Sequence, residues 1–286
     1  MECGRAEAFV TGAGHRALSV LARAQAARRR WRDDDACRQH AIPEALWQLT
    51  LARYPFLGWR SREQLMRLRR LATLFLARKE FSGAHGLVVT DEIAVAVAAQ
   101  AVLPVLNLDE GLNLYDGFIG IVMHSDAVVA PREVMDDDGV VHEYDEELAG
   151  EAMQDGPVML SWRDVEAAAE DSGHADWAYN VTIHEFAHVI DMAHGGADGV
   201  PPLSDRAARQ HWIGVMEAAY ADFCMQVDAQ HQTLIDPYAA DSIQEFFAVA
   251  VETFYVQPRE LQRAAPSVYQ LLVDYFHEDP AHHSPQ

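Results

Sequence analysis

The sequence predicts an α+β fold, mostly helical, with a small sheet near its centre. Two observations carry this. Apolar residues recur at helical spacing in the first third of the chain and through most of its second half. Between these regions lie two short β-branched and apolar runs, Phe118 to Met123 and Val158 to Trp162. Half of the 286 residues are hydrophobic, enough for a substantial core.

Residues 1–39 hold an Arg- and Ala-rich stretch, Arg23 to Arg32, and stay unassigned. The stretch has no apolar region leading to a small-residue cleavage site, so it is not a secretory signal. Its basic run, Arg28 to Arg32, reads as a solvated helix face, with a docking patch for an acidic partner as the alternative. One domain is expected over residues 40–280, followed by a tail at 281–286.

Ile42 to Tyr54 reads as a helix, with Pro43 suited to its first turn. Ser61 opens a second helix, and Gln64 completes a capping box. Leu65, Leu68, Leu71, Leu74 and Phe75 supply its apolar stripe. Thr90 or Asp91 caps a third helix, which Pro104 ends. The first strand follows at Phe118 to Met123. Asp136 to Glu151 is dense in carboxylates and reads as a loop or mobile flap; calcium binding is disfavoured because the EF-hand spacing is absent. Pro157 precedes the second strand, where Ser161 alternatively caps a short helix through Ala169. Helices are then expected at Ala178 to Ala193, Ser204 to Val227 and Ala239 to Val256, with a last one after Pro266.

The formal net charge of −22 weighs against sequence-independent binding of nucleic acid, which relies on Lys and Arg. No apolar run reaches the roughly 18 residues of a membrane span. Three widely spaced cysteines, Cys3, Cys37 and Cys224, form no CxxC pair and no disulfide framework. A cytoplasmic location is expected, without nucleic-acid or membrane partners.

The chemical signal is His184-Glu185-Phe186-Ala187-His188. Residues four apart share a helix face, so both imidazoles can address one ion. Zinc suits neutral imidazoles, and a catalytic zinc takes three protein ligands and a water. Glu185 is placed to take the proton from that water and pass it to the leaving amine. This is the HExxH peptidase arrangement, with one zinc per chain. Two residues compete as third ligand. His194 falls where the metzincin pattern puts its last His, but Asp191 stands at the position where that pattern turns on Gly. Glu245 lies in Gln244-Glu245-Phe246-Phe247-Ala248, where apolar neighbours leave a carboxylate wanting a partner. Residue chemistry favours Glu245 and keeps His194 as the alternative.

The segment Trp177 to Asp191 resembles the Mlc titration factor A family of zinc peptidases. So do Asp198-Gly199-Val200-Pro201, Asp236-Pro237-Tyr238-Ala239 and the segment around Glu245. Upstream, Ala101 to Asn107, Tyr115 to Phe118 and Gly156 to Trp162 are also similar, so that the likeness spans about residues 40 to 280. The resemblance implies a zincin-like, gluzincin-type domain. It also implies His184, His188 and Glu245 as zinc ligands, Glu185 as catalytic base and Tyr238 as a residue that holds the transition state. A phenol there can donate to the oxyanion of the tetrahedral intermediate. Asp191 either orients a ligand histidine or serves packing and capping. In related gluzincin folds a peptide pairs with an edge strand, and Val158 to Trp162 is the candidate. Two functions follow: hydrolysis of a peptide or protein substrate, with an aminopeptidase as its narrower form, or regulatory capture of a transcriptional repressor protein.

Overall fold

The computed structural model describes residue 28 and residues 31–135, 141–170 and 177–284. By compactness the chain divides into Met1–Ala41 and Ile42–Gln286. In the first unit residues 31–39 are helical, and Arg28, Trp31 and Arg32 are exposed, as a solvated face requires; Arg29 and Arg30 lie outside the described residues.

The second unit begins with α1 (Glu44–Arg53), after Pro43, and continues with α2 (Arg62–Arg78). Ser61 and Gln64 form the expected capping box, with Gln64 N donating to Ser61 Oγ and Ser61 N to Gln64 Oε1. Strand β1 (Glu80–Gly83) leads to α3 (Asp91–Ala101), capped by Thr90, whose Oγ1 accepts from Ile93 N at 3.3 Å. Strand β2 (Gly120–His124) follows, then β3 (Val128–Met135), β4 (Val141–Leu148), β5 (Gly150–Ala152) and β6 (Val158–Ser161). The remaining helices are α4 (Trp162–Glu170), α5 (Val181–Asp191), α6 (Arg206–Asp228), α7 (Ile243–Val256), α8 (Pro258–Ala264), α9 (Pro266–Phe276) and α10 (Pro280–His283). No helix among the described residues is long and apolar enough to cross a membrane.

The architecture is α+β: helices around a four-stranded mixed sheet of order β1-β2-β6-β5. β1, β2 and β6 run parallel, and β5 pairs antiparallel with β6. The parallel β1–β2 pair needs a crossover, and α3 supplies it. α7 is the core helix, with every residue from Phe246 to Val256 buried. It packs on α5, α6 and α9, and Phe246, Phe247 and Phe254 make ring contacts there with Phe223, Trp212 and Phe276. Each such ring contributes about 1.5–3 kcal/mol on burial.

Two expectations are corrected. The acidic segment is not a loop over its described length: residues 141–148 are strand β4, in register with β3 from Val128↔Leu148 to Met135↔Val141. Ladder hydrogen bonds satisfy that backbone where composition suggested none would; residues 136–140 lie outside the description. Val158–Ser161 is a strand but not an edge, because β5 covers it on one side and β2 on the other. Ser161 also caps α4 through Asp164 N, so the strand and helix readings both hold, end to end.

Candidate metal centre and catalytic cleft

α5 carries the HExxH residues because its N-terminus is fixed and its apolar stripe is deep. Asn180 caps it, with Oδ1 accepting from Ile183 N at 2.9 Å. Ile183, Phe186, Ala187 and Ile190 are fully buried. Phe186 packs edge-on against Phe75 and Tyr115, with ring centroids at 5.5 and 5.0 Å. The stripe leaves His184 and His188 on the face toward α7. There Ser242 caps the helix by accepting from Glu245 N, which sets Glu245 in the first turn.

Three donor atoms meet between these helices. His184 Nε2 lies 3.1 Å from His188 Nε2 and 3.1 Å from Glu245 Oε2, and His188 Nε2 lies 3.4 Å from Glu245 Oε1. Among the described residues, His184, His188 and Glu245 form the one group of three whose ligand atoms lie within 4.8 Å of one another. The donor set fits a metal ion. A tetrahedron with arms of about 2.0–2.1 Å, the zinc–nitrogen length, has edges of about 3.3–3.4 Å. Moreover, Glu245 Oε2 is buried and, despite its approach to His184, accepts no well-aligned hydrogen bond. The far nitrogen of His184 is taken, its Nδ1 lying 2.6 Å from Glu252 Oε1, so that Nε2 is left to face the cluster.

The electrostatics follow from burial and crowding. Burial alone would raise Glu245, but its contacts with His184 and His188 hold it well below the ordinary carboxylate range. Burial pushes Glu185 up, with the two histidines opposing it. Burial would depress His184, but Glu252 and Glu245 overcome this and hold the imidazole above its usual value.

Glu185 is 5% exposed and accepts a hydrogen bond from the backbone N–H of Ala152 in β5. Gly150 makes that approach possible, since a Cβ there would fall 2.6 Å from Glu185 Oε1. The cluster opens into a cleft of about 380 Å³ lined by Gly150, Glu151, Ala152, Tyr238 and Gln244. Tyr238 stands on a 3₁₀ turn (Pro237–Ala240), 44% exposed, with its ring centroid 6.4 Å from that of His184.

This centre can be set beside known proteins. The profile of the family described as glucose-regulated metallo-peptidase M90 matches residues 28–277. The chain belongs to this family. It is 36% identical over 253 residues to an uncharacterised protein of Synechocystis, covering 87% of this chain and 89% of that one. It is 34% identical over 241 residues to the Mlc titration factor A of Serratia proteamaculans, covering 82% and 88%. The same-named protein of Pectobacterium atrosepticum is 32% identical over 238 residues, covering 82% and 86%. Membership makes the chain a metallopeptidase, the class of enzyme that hydrolyses peptide bonds with the help of a metal ion.

Within this metallopeptidase, His194 stands outside the donor group, on a 3₁₀ turn (Met192–His194) beyond α5. Asp191 does not reach a ligand histidine: its carboxylate accepts from the backbone N–H groups of Asp198, Gly199 and Val200 and ties down the turn after the helix. Of the two roles expected for it, the structure shows the capping one. The residue against His184 is Glu252, which sequence reasoning missed. The signal was present: Glu252 follows Glu245 by seven residues, two turns along the same face of a mostly apolar helix.

Proposed function

We propose that the chain is a cytoplasmic, zinc-dependent aminopeptidase with a zincin-like catalytic domain over residues 40–280, outside which residues 1–39 and 281–286 fall. The observation that carries the reading is the convergence of His184, His188 and Glu245 beside Glu185 in one cleft. These three residues would hold one zinc ion. Bound there, zinc supplies Lewis acidity toward a water and toward the scissile carbonyl. Glu185 serves as general base and then returns the proton to the leaving amine. Tyr238 turns its hydroxyl toward the developing oxyanion. The substrate backbone lies along β5, the end strand of the sheet and a wall of the cleft. Among the described residues no Lys or Arg lines that cleft, and Glu151 stands at its wall, which supports binding of a peptide's cationic N-terminus.

The test is zinc per chain and peptide turnover in wild type, Glu245→Ala and Glu185→Gln. Wild type holds about one zinc and Glu245→Ala loses it. Glu185→Gln keeps the metal and loses about 10²–10⁴-fold in kcat. Zinc loss in His194→Ala instead would overturn the ligand set.

A second role rests on the relatives named Mlc titration factor A. It is capture of a transcriptional repressor protein, on a surface separate from turnover. Glu185→Gln then binds the repressor as wild type does. Repressor binding lost together with turnover would tie the two into one site.

A further inference from the structure

We propose that Glu252, held in place by Asn180 and Gln100, is the positioning residue for His184, and that a buried chain of hydrogen bonds running from α3 through the N-cap of α5 to α7 sets the affinity of the metal centre. The proposal rests on the zinc reading above and concerns residues that touch neither metal nor substrate.

α7 presents two carboxylates two turns apart, and they bracket one imidazole. Glu245 approaches His184 Nε2, and Glu252 approaches Nδ1 from the opposite side at 2.6 Å. Glu252 is 4% exposed, and burying a carboxylate so deeply is costly unless both its oxygens are satisfied. They are: Oε1 meets His184 Nδ1, and Oε2 accepts from the backbone N–H of Asn180 at 2.7 Å. Asn180 is the residue that caps α5. Its side-chain Nδ2 donates to Gln100 Oε1 at 2.7 Å, and Gln100 Nε2 donates to Ala96 O at 3.0 Å. Asn180 and Gln100 are both fully buried.

The physical consequence is specific. With its Nδ1 proton donated to Glu252, His184 can offer only the Nε2 lone pair to an ion, in one ring orientation. The carboxylate also makes that nitrogen a stronger ligand. Because Asn180 joins the helix cap to Glu252, the start of α5 and the imidazole one turn later are fixed by the same group. Gln100 holds Asn180 from the other side, which extends the positioning to a helix that never meets the ion.

The test measures zinc dissociation constants by chelator competition, melting temperatures, and the ¹H–¹⁵N resonances of the histidine rings. In wild type, His184 shows a slowly exchanging Nδ1–H with or without zinc. Folded Glu252→Ala loses that resonance and binds zinc about 10- to 100-fold more weakly. Glu252→Gln, which keeps one acceptor oxygen, falls between. Gln100→Leu weakens zinc about 2- to 30-fold. A purely structural role would lower the melting temperature and leave the zinc constant of the folded variants within twofold of wild type, and that result overturns the proposal. If the Glu252 variants do not fold, the wild-type spectrum decides, and absence of the His184 Nδ1–H overturns it. A wild-type protein that holds no zinc overturns the zinc reading, and the Nδ1–H resonance then decides this inference by itself.

Discussion

Gly150 shows how one missing side chain shapes the cleft. A Cβ at that position would lie 2.6 Å from Glu185 Oε1, 2.7 Å from Glu185 Cγ and 2.8 Å from Val181 Cγ2. Glu185 has little room to retreat, since it is buried and tied to Ala152 N–H. Val181 sits in the first turn of a packed helix and cannot yield either. Gly150→Val is therefore expected to displace the Glu185 carboxylate while leaving the imidazoles in place. The expected result is loss of at least about tenfold in kcat, normal zinc content, and a stability loss of about 1–3 kcal/mol from overpacking. Peptide turnover, metal analysis and urea unfolding check this; unchanged turnover would show that Glu185 tolerates displacement. The HExxH spacing made Glu185 legible in the sequence. Gly150 carried no such mark, because a glycine after an acidic run declares nothing about the helix it must approach.

At the scale of elements, α5 works because both its ends are fastened by side chains. Asn180 holds the N-terminus, and Asp191 gathers the turn that follows, accepting from Gly199 N and Val200 N at 2.9 Å each. Gly199 adopts φ 73° there, and a Cβ on it would meet Ile243 O at 3.0 Å, which explains why the Asp198-Gly199-Val200 segment needs glycine. Asp191→Ala removes an acceptor from three backbone N–H groups at once, of which Val200 N–H keeps Asp198 Oδ1. The cost should be about 1–3 kcal/mol or more in unfolding free energy, read from a urea midpoint. Asp191→Asn, which keeps one acceptor oxygen, should recover part of it. If the Ala variant is as stable as wild type, the turn is held by other contacts. Capped helices were readable because Ser61 and Thr90 act on residues three positions away. The strands were less so. β5 is three residues long, too short for a period, and β4 is so charged that only its pairing with β3 reveals it.

At the scale of the molecule, the centre draws together residues that are far apart in the chain, and local pattern cannot report such meetings. His184 and His188 were legible because one helix carries both. Glu245 was legible only as a carboxylate among apolar residues, and its approach to them depends on the packing of α7 against α5. Burial elsewhere in the molecule governs how stability depends on pH. Lys79, at the C-terminal end of α2, donates through Nζ to the carbonyls of Tyr115 and Phe118 and lies 3.7 Å from the Phe118 ring centroid. Burial pushes its ammonium down to about 8 from an ordinary value of 10.5. Between those values the unfolded chain holds more protons than the folded one, so stability rises with pH. Its slope is at most about 1.4 kcal/mol per pH unit, reduced because Lys79 is only half-buried. Tyrosines act in the opposite sense. Burial raises Tyr54 to about 12 and holds Tyr115 and Tyr255 well above their ordinary 10.0. Above pH 10 the folded chain therefore keeps protons that the unfolded chain releases, and stability falls. Urea unfolding between pH 7.5 and 11 should show a maximum near about pH 10. In Lys79→Met the rise from pH 8 should vanish while the fall above pH 10 remains. A rise of equal size in that variant would place its origin elsewhere than at Lys79.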